Sequence, residues 1–389
     1  MNILFVLKKF PHYGGIAIVT QMLCEQFIAD GHHVVVATLV GDPVSEIKEL
    51  IPDGVIIKRL SGPTWSLSHI SILRKIIKEY NVDVMIDQWA LRPEVAFVCN
   101  CARKGSNCKL YCELHGAPNT TKMIIGQTDS VAQSTGLLKV FNKIKLWACH
   151  IITKLSIKYV YRISDKYILL SNSFIPQLVN YAKLKETSKL QVVENAIQIP
   201  ADGFVYDFKK KKKQILYVGR MDPFNKRVNR IVEAWEQLFM SYPDWTLELV
   251  GEGPQLPDLK TYVTDRNIER VNFHGFQKEP PRKFYEEASV LLLTSDLEGF
   301  GLVIIEGMQF GVVPVVYGSY VAVYDIIKDG KDGFITSMPY SRDATIKCMT
   351  KLMDNERLRE EMARAAMKTA ERYTIRKMAN KWYRIFDAK

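Results

Sequence analysis

Short apolar segments alternate with helical patterns along this chain, and the alternation occurs in two successive series. In the first series the helical patterns end at turn residues such as Gly31 and Asn81. This β-α-β order predicts a parallel sheet with helices on both faces. The predicted strands are residues 3–7, 34–39, 55–60, 82–87, 109–114 and 166–170, and the predicted helices are residues 17–29, 67–80 and 93–103.

The alternation restarts after Pro200, which predicts a second sheet with strands at 214–218, 245–250, 270–274, 290–293 and 312–316. A length of 389 residues also fits two domains. The run of five lysines at 209–213 is interpreted as a solvated interdomain linker, and a polyanion site is the alternative. We predict domains over residues 1–200 and 201–372, and a helix over 373–389 that packs back on the first domain.

The charge and the cysteines limit the class of protein. Of the formal charge of +11, most falls on residues 1–200, which suits an anionic partner or a solvated face. The seven cysteines are odd in number and irregularly spaced, and the first residues form an apolar run without a leader pattern, so we expect a reducing cytosol. The spacing of Cys99, Cys101, Cys108 and Cys112 matches no usual zinc pattern, so no metal site is predicted.

Residues 137–161 form a helical pattern that carries five lysines among large apolar residues. Such a helix suits a membrane interface, where basic side chains meet anionic lipid. It equally suits a helical pair packed over the first sheet. Both interpretations stay open from the sequence.

The segment 294–306, Thr-Ser-Asp-Leu-Glu-Gly-Phe-Gly-Leu-Val-Ile-Ile-Glu, follows a predicted strand and carries a glycine-bearing turn into a helix. Free backbone N–H groups over 299–302 and the positive end of the helix dipole predict a seat for a diphosphate. Glu298 and Glu306 are eight residues apart, so each can reach a different part of an extended ligand. A carboxylate accepts hydrogen bonds from paired hydroxyls, such as those of a sugar or a ribose.

A second motif, Tyr-Val-Gly-Arg-Met-Asp-Pro-Phe-Asn-Lys-Arg at 217–227, lies at the exit of the first strand of the second domain. Ligands of open parallel sheets bind beyond the carboxyl ends of the strands. Arg220 and Lys226 are therefore placed to neutralise a departing diphosphate.

Together these motifs resemble those of the family 4 retaining glycosyltransferases, which have the GT-B fold of two facing Rossmann-like domains with a cleft between them. The resemblance covers essentially the whole chain. Its residues are Gly14 and Gly15 after the first strand, Gly219, Arg220 and Lys226, and Glu298, Gly299, Phe300, Gly301 and Glu306.

The resemblance implies a role for each matching residue. Arg220 and Lys226 would hold the donor diphosphate, Glu306 the ribose hydroxyls, and Glu298 the donor sugar. The members of the implied catalytic set are His115, Arg220, Lys226 and Glu298. The implied donor-binding residues also include Gly14, Gly15, Gly219, His274, Gly275, Gly299, Phe300, Gly301, Leu302 and Glu306.

Two segments depart from the family pattern. Asn195-Ala196 stands where Asn-Gly is common, and residues 317–325 lack the usual Gly-Gly-x-x-Glu, with Asp325 near the position of the glutamate. These departures concern the hinge-like turn and the details of donor recognition.

The resemblance implies retaining, metal-independent sugar transfer from a nucleotide donor without a bound cofactor, and it favours uridine while leaving guanosine open. The acceptor would be a glycan or lipid-linked chain in lipopolysaccharide, capsule or exopolysaccharide synthesis, at the inner face of the membrane. One alternative is a nucleotide-sugar 2-epimerase of the same fold. Another is a basic nucleic-acid-binding protein, although no recognition helix or aromatic ribonucleoprotein motif is present.

Overall fold

A computed structural model of the chain describes residues 1–40, 50–62, 65–198, 204–278 and 281–387. The chain forms two compact units. Unit 1 comprises Met1–Gln198 together with Ile375–Lys389, and unit 2 comprises Ile199–Thr374. Each unit contains one wholly parallel sheet, so the prediction of two α/β sheets is confirmed.

The sheet of unit 1 has seven strands in the order β3-β2-β1-β4-β5-β6-β7. The strands are β1 Asn2–Lys9, β2 His33–Val40, β3 Ile56–Arg59, β4 Val84–Asp87, β5 Lys109–Leu114, β6 Lys166–Leu169 and β7 Leu190–Val192. The helices are α1 Gly15–Ala29, α2 Ser68–Glu79, α3 Pro93–Ala102, α4 Lys122–Gln133, α5 Gly136–Ile163, α6 Phe174–Ala182 and α14 Ile375–Asp387.

Strand β1 is central because its apolar run is buried on both faces of the sheet. Leu4 pairs with Val35 on one side and with Met85 on the other, and residues 3–7 are almost fully buried. A continuous apolar run of this kind is what a parallel strand covered by helices requires. The sheet order reverses between β2 and β4 at this strand, which places the topological switch point at its carboxyl end.

Helix α14 belongs to unit 1 by its contacts. Trp382 is fully buried, and Tyr383 donates a hydrogen bond to Asp30 at 2.5 Å. Arg376 also binds Asp30 at 2.8 Å. The helix begins at Ile375 rather than at residue 373, because Glu371–Tyr373 forms a short 3-10 turn.

The sheet of unit 2 has six strands in the order β10-β9-β8-β11-β12-β13. The strands are β8 Gln214–Val218, β9 Thr246–Val250, β10 Val271–Gly275, β11 Val290–Leu293, β12 Val313–Tyr317 and β13 Phe334–Thr336. The helices are α7 Val228–Glu236, α8 Leu256–Asp265, α9 Arg282–Glu287, α10 Leu302–Gln309, α11 Val323–Ile326, α12 Arg342–Asp354 and α13 Glu356–Ala370.

The lysine run 209–213 lies within unit 2, so its interpretation as an interdomain linker is wrong, although four of its five lysines are exposed to solvent as expected. The Lys211 ammonium donates to the carbonyl of Tyr285 at 2.7 Å, and its burial lowers its pKa to about 7. Lys212 pairs with Glu287 at 2.7 Å, and Lys213 pairs with Asp244. The run is therefore attached to unit 2, where it leads directly into β8.

Candidate functional site

Two glycine-containing turns pack against each other at the carboxyl edge of the unit 2 sheet. The N–H of Gly219, after β8, donates to Val250 at 3.0 Å, and the N–H of Met221 donates to Glu252 at 2.8 Å. A Cβ atom on Gly251 would lie 2.0 Å from the carbonyl oxygen of Gly219. Only glycine allows this approach, and the packing fixes the turn that carries Arg220.

Arg220 and Lys226 follow β8 but differ in their surroundings. The Arg220 side chain is exposed and makes no ion pair within the described ranges. The Asp222 carboxylate accepts N–H bonds from Phe224 at 2.9 Å and Asn225 at 3.0 Å, which closes the turn before Lys226. The Lys226 ammonium then binds a Glu298 oxygen at 2.6 Å. The structure thus brings together two residues that lie 72 positions apart in the sequence.

The start of α10 lies in the same loop as Glu298. Gly301 is the N-cap, with φ of 91°, and no side chain caps the helix. The backbone N–H groups of 299–302 find no acceptor among the residues that the structure describes. Unpaired donors at the positive end of a helix favour an anion, as predicted from the sequence.

Glu306 lies in the second turn of α10. Its carboxyl group accepts a hydrogen bond from the Tyr285 hydroxyl at 2.7 Å. Burial raises the pKa of Glu306 above its ordinary value, and the bond from Tyr285 partly offsets this effect. A carboxyl group held in this way keeps further lone pairs for a ligand's hydroxyls.

His274 is not placed with Lys226 and Glu298. It lies on edge strand β10, two strands away from β8, where its ring binds Glu248 at 2.6 Å and packs on Phe284 with centroids 4.6 Å apart. Gly275 ends the strand, and its carbonyl accepts the N–H of Gly251 at 2.8 Å. Both residues therefore support neighbouring segments of unit 2.

The sequence analysis missed an ionic cluster beside the α10 loop. Asp296 accepts hydrogen bonds from Arg227 and from Arg230, each at 2.6 Å. The Arg230 guanidinium also stacks on the Tyr340 ring at 4.4 Å. The only signal in the sequence was an aspartate two residues before Glu298, which spacing alone does not connect to α7.

The predicted residues of unit 1 lie at the carboxyl edge of its own sheet. Gly14 has an extended backbone with φ of −173°, and α1 begins at Gly15. His115 follows β5 and is two strands away from the end of β1.

The His115 ring is buried against two polar side chains. Its Nε2 contacts the Oε1 of Gln88, and the Gln88 amide donates to Glu113 Oε2 at 3.1 Å. Burial raises the pKa of Glu113 to about 8 and lowers the pKa of His115 to about 3. Burial also raises the pKa of the neighbouring Asp87, to about 7. No lysine or arginine pairs with this cluster in the described part of the chain, so burial dominates these shifts.

Across the described ranges, no group of three or more metal-ligating side chains comes together. All seven cysteines are unpaired thiols. Beside the loop at 298–302, unit 2 offers an anion the exposed Arg220, Lys226 paired with Glu298, and the start of α10.

Two units that each contain a parallel sheet with interspersed helices define the GT-B class of fold, and comparison with solved structures agrees. The Anabaena HepE structure, in complex with UDP and glucose, superposes with a TM-score of 0.74 at 16% identity over 99% of both chains. At that identity, the likeness concerns the fold.

Family models match both units. "Glycosyltransferase Family 4" matches residues 13–199, and "Glycosyl transferases group 1" matches residues 198–369. The chain belongs to the family 4 glycosyltransferases.

Two curated relatives illustrate the range of similarity. An uncharacterized glycosyltransferase of Haemophilus influenzae is 30% identical over 175 residues, which cover 45% of this chain and 49% of the relative. The amylovoran biosynthesis glycosyltransferase AmsD of Erwinia amylovora is 25% identical over 297 residues, which cover 72% of this chain and 82% of AmsD. The match to the Haemophilus protein thus spans about half of its length.

Proposed function

We propose that this protein transfers a sugar from a nucleotide diphosphate donor to a glycan or lipid-linked acceptor of a bacterial cell-surface polysaccharide. The proposal rests on the ion pair between Lys226 and Glu298, which lies beside the uncapped start of α10. This arrangement offers a cation, free N–H groups and a carboxylate within one loop region. A diphosphate linked to a sugar needs these three groups.

Each residue of unit 2 has a defined part in the proposal. Arg220 and the N–H groups of 299–302 take the diphosphate, and Lys226 stabilises the charge that grows on it as the glycosidic bond breaks. Glu298, released in part from Lys226, accepts hydrogen bonds from the sugar hydroxyls. Glu306 accepts those of the ribose.

The donor is proposed to be a UDP-sugar. The fold likeness to HepE, whose structure contains UDP and glucose, supports uridine. Transfer is proposed to retain the anomeric configuration and to need no metal, since the described cations of unit 2 can neutralise the diphosphate. The name of AmsD supports exopolysaccharide synthesis as one setting.

The test is a transfer assay with UDP-, GDP- and ADP-sugars and polyprenyl-phosphate-linked acceptors, with and without EDTA. We expect a UDP-sugar to be consumed equally in both conditions, and proton NMR of the product to show the anomeric configuration of the donor. Loss of activity in EDTA contradicts the metal-independent part, and an inverted product contradicts retention. Conversion of the donor alone into an epimer would favour the epimerase alternative, which the transferase names of both relatives make less favoured.

A second part of the proposal concerns peripheral contact with an anionic membrane through helix α5. The carboxyl-terminal half of α5 packs on unit 1 through Thr153, Ser156, Ile157, Val160 and Tyr161. The first half of α5 contacts α4 through Asn142, which bonds Gln127 and Ser130, and it keeps large exposed apolar side chains, with Leu137 89% and Trp147 65% exposed. The interpretation as a packed helix therefore holds for the second half of α5, and the proposal of membrane contact rests on the exposed apolar residues of the helix.

Five exposed apolar residues of α5 share one side of the helix, and Leu138, Val140 and Trp147 widen the exposed apolar surface on its flanks. Leu137, Phe141, Ile144, Ile152 and Leu155 recur at spacings of three, four or eight residues, and all are more than half exposed. The nineteen residues from 137 to 155 extend about 27 Å along the helix axis. Exposed apolar patches of this size mark contact surfaces.

The charges around this side favour an anionic lipid surface over a second copy of the chain. Helix α5 carries five lysines and no acidic residue, so two copies would bring like charges together. Lysines that flank an apolar helix face bind acidic headgroups while the face enters the acyl boundary. Among the described residues, no helix has the length and apolar composition needed to cross a bilayer.

Vesicle co-sedimentation tests this surface. Changing Lys139, Lys143, Lys145, Lys154 and Lys158 to Gln removes up to five contacts of roughly 1 kcal/mol each, so binding to phosphatidylglycerol vesicles should fall by about three orders of magnitude at low salt. The matched control changes five exposed lysines of unit 2, Lys260, Lys278, Lys283, Lys331 and Lys368, and should bind as the unchanged protein does. Equal binding by both variants would contradict the membrane contact, and a dimer lost in the α5 variant would assign the surface to a second copy.

A further inference from the structure

The polar cluster beside His115 is almost wholly buried, and 6% of the His115 side chain is exposed. Gln88 follows β4 and Glu113 lies within β5, and the two strands are neighbours, so both side chains meet at the carboxyl edge of the unit 1 sheet. Gln88 is 1% exposed and Glu113 is fully buried. His115 is held against them through its Nε2 atom.

The polarity of this chain of contacts follows from which atoms meet. Gln88 presents its Oε1 to His115 Nε2, and a carbonyl oxygen only accepts. Its other end, the amide nitrogen, donates to Glu113 Oε2 at 3.1 Å. With the Gln88 amide in this orientation, the Nε2 atom of His115 carries a hydrogen.

The protonation state of the second ring nitrogen, Nδ1, follows from that of Nε2. A neutral imidazole has one N–H, so Nδ1 holds a lone pair. Within the described residues, Nδ1 has no hydrogen-bond partner. Burial keeps the ring neutral, because it lowers the pKa of His115 to about 3.

We propose that Gln88 and Glu113 are positioning residues that lock His115 as the Nε2–H tautomer, so that Nδ1 accepts a hydrogen bond from a hydroxyl group of the substrate. This inference rests on the proposed sugar transfer for the identity of the hydroxyl. His115 is the residue that touches substrate, and Gln88 and Glu113 act through it. The alternative polarity, with the amide reversed and Glu113 donating, would make Nδ1 a donor and select an acceptor atom on the ligand.

Nitrogen-15 NMR of the whole protein labelled at its seven histidines tests the tautomer without any assay of activity. His115→Ala assigns the signals. At pH 7 we expect Nε2 to show the shift of a protonated nitrogen and Nδ1 that of an unprotonated one. A protonated Nδ1, alone or in an imidazolium, overturns the proposal.

Three variants separate positioning from general packing. Gln88→Leu and Glu113→Leu should turn the ring into a mixture of tautomers and lower kcat by about 10- to 100-fold, the range seen when outer partners of ligating histidines are removed. The donor KM should change little. Glu113→Gln retains an acceptor carbonyl and should keep both the tautomer and kcat.

Tyr167→Phe is the matched control, because it removes a buried hydroxyl that has no partner in the described chain and that lies on the next strand of the same sheet. It should leave the His115 signals and kcat unchanged. An unaltered tautomer in both leucine variants contradicts the positioning role. If no nucleotide-sugar supports transfer but the NMR result holds, the sugar-transfer proposal fails and the locked tautomer stands.

Discussion

The carboxyl edges of the two sheets carry polar sites of opposite character. In unit 1, Glu113 and His115 are buried without a lysine or arginine partner, and their pKa values move toward the neutral forms. In unit 2, Lys226 and Glu298 form an ion pair beside the exposed Arg220. The same parallel topology therefore supplies a neutral hydrogen-bonding site in one case and a charged site in the other.

The difference follows from burial and from partners. A carboxyl group removed from water without a countercharge favours its protonated form, and an imidazole favours its neutral form. The half-exposed loops of unit 2 leave their cations hydrated and close to free backbone N–H groups. A neutral site suits hydroxyl groups, whereas a charged one suits phosphate.

The largest effect should come from removing fixed charge in unit 2. Arg220→Ala should lower kcat by about 10²- to 10³-fold, because the lost cation acts where negative charge develops. Lys226→Ala should act in the same range. Steady-state kinetics with saturating donor measures both, and Arg357→Ala, an exposed arginine of unit 2 in a surface pair, should leave kcat unchanged. An unchanged kcat in Arg220→Ala or in Lys226→Ala would contradict the role proposed for that residue.

The next effect concerns the turn that carries Arg220. Gly251→Ala places a Cβ atom 2.0 Å from the Gly219 oxygen at φ of +128°, so the two turns must separate. We expect the free energy of unfolding to fall by about 3 kcal/mol, the upper end of the range for local backbone strain, and donor binding to weaken with it. Gly330→Ala is the control, because that glycine has positive φ but nothing within 4 Å. If urea unfolding showed the same loss of unfolding free energy in Gly251→Ala and Gly330→Ala, the close contact between the two turns would not contribute to stability.

A smaller effect is expected at the proposed ribose contact. Glu306→Gln keeps a partner for Tyr285 but removes the carboxylate, and should weaken donor binding about tenfold, as the loss of one charged hydrogen bond does. Tyr285→Phe removes the neighbouring hydroxyl and should affect binding less. Isothermal titration with the nucleotide diphosphate measures both. If Tyr285→Phe weakened donor binding more than Glu306→Gln did, the ribose would be recognised by the tyrosine and not by the glutamate.

The smallest effect tests the neutrality of the unit 1 site through pH. Glu113 has a pKa of about 8 in the fold, against 4.5 ordinarily, so the folded state binds more protons between these values and stability from this group falls as pH rises. The Glu113→Gln variant has no titrating group at this position, so it should not lose this stability as pH rises. Relative to the unchanged protein, its free energy of unfolding should increase from pH 5 to pH 8 by at least about 1.4 kcal/mol, the equivalent of one pKa unit. A constant difference in urea unfolding would mean that Glu113 is ionised in the fold.

The two sheets could be predicted from the sequence because apolar runs such as residues 3–7 and 290–293 are long and are bounded by turn residues. The three-residue strands β7 and β13 were missed, since so short a run shows no period. The lysine run 209–213 was misread because composition does not reveal which ammonium groups find carbonyl or carboxylate partners.

The candidate site was predictable only where residues share a loop. The loop from Glu298 to Gly301 could be recognised from the sequence because its residues are consecutive. The ion pair of Glu298 with Lys226 could not, because it depends on β8 and β11 being neighbours in the sheet. The contact between Gln88 and His115 spans adjacent strands in the same way. The hydrogen bond between His274 and Glu248, on the neighbouring strand, could likewise not be predicted from the sequence.

The central claim is that unit 2 binds a nucleotide diphosphate sugar through Arg220, Lys226 and the start of α10. The most direct measurement is the shift in thermal unfolding of the unchanged protein and of Arg220→Ala with UDP-, GDP- and ADP-sugars. A UDP-sugar at 100 times its dissociation constant should add about 2.7 kcal/mol of stability to the unchanged protein, and clearly less to the variant at the same concentration. Absence of stabilisation by every nucleotide sugar, or an equal gain in both proteins, would contradict the claim.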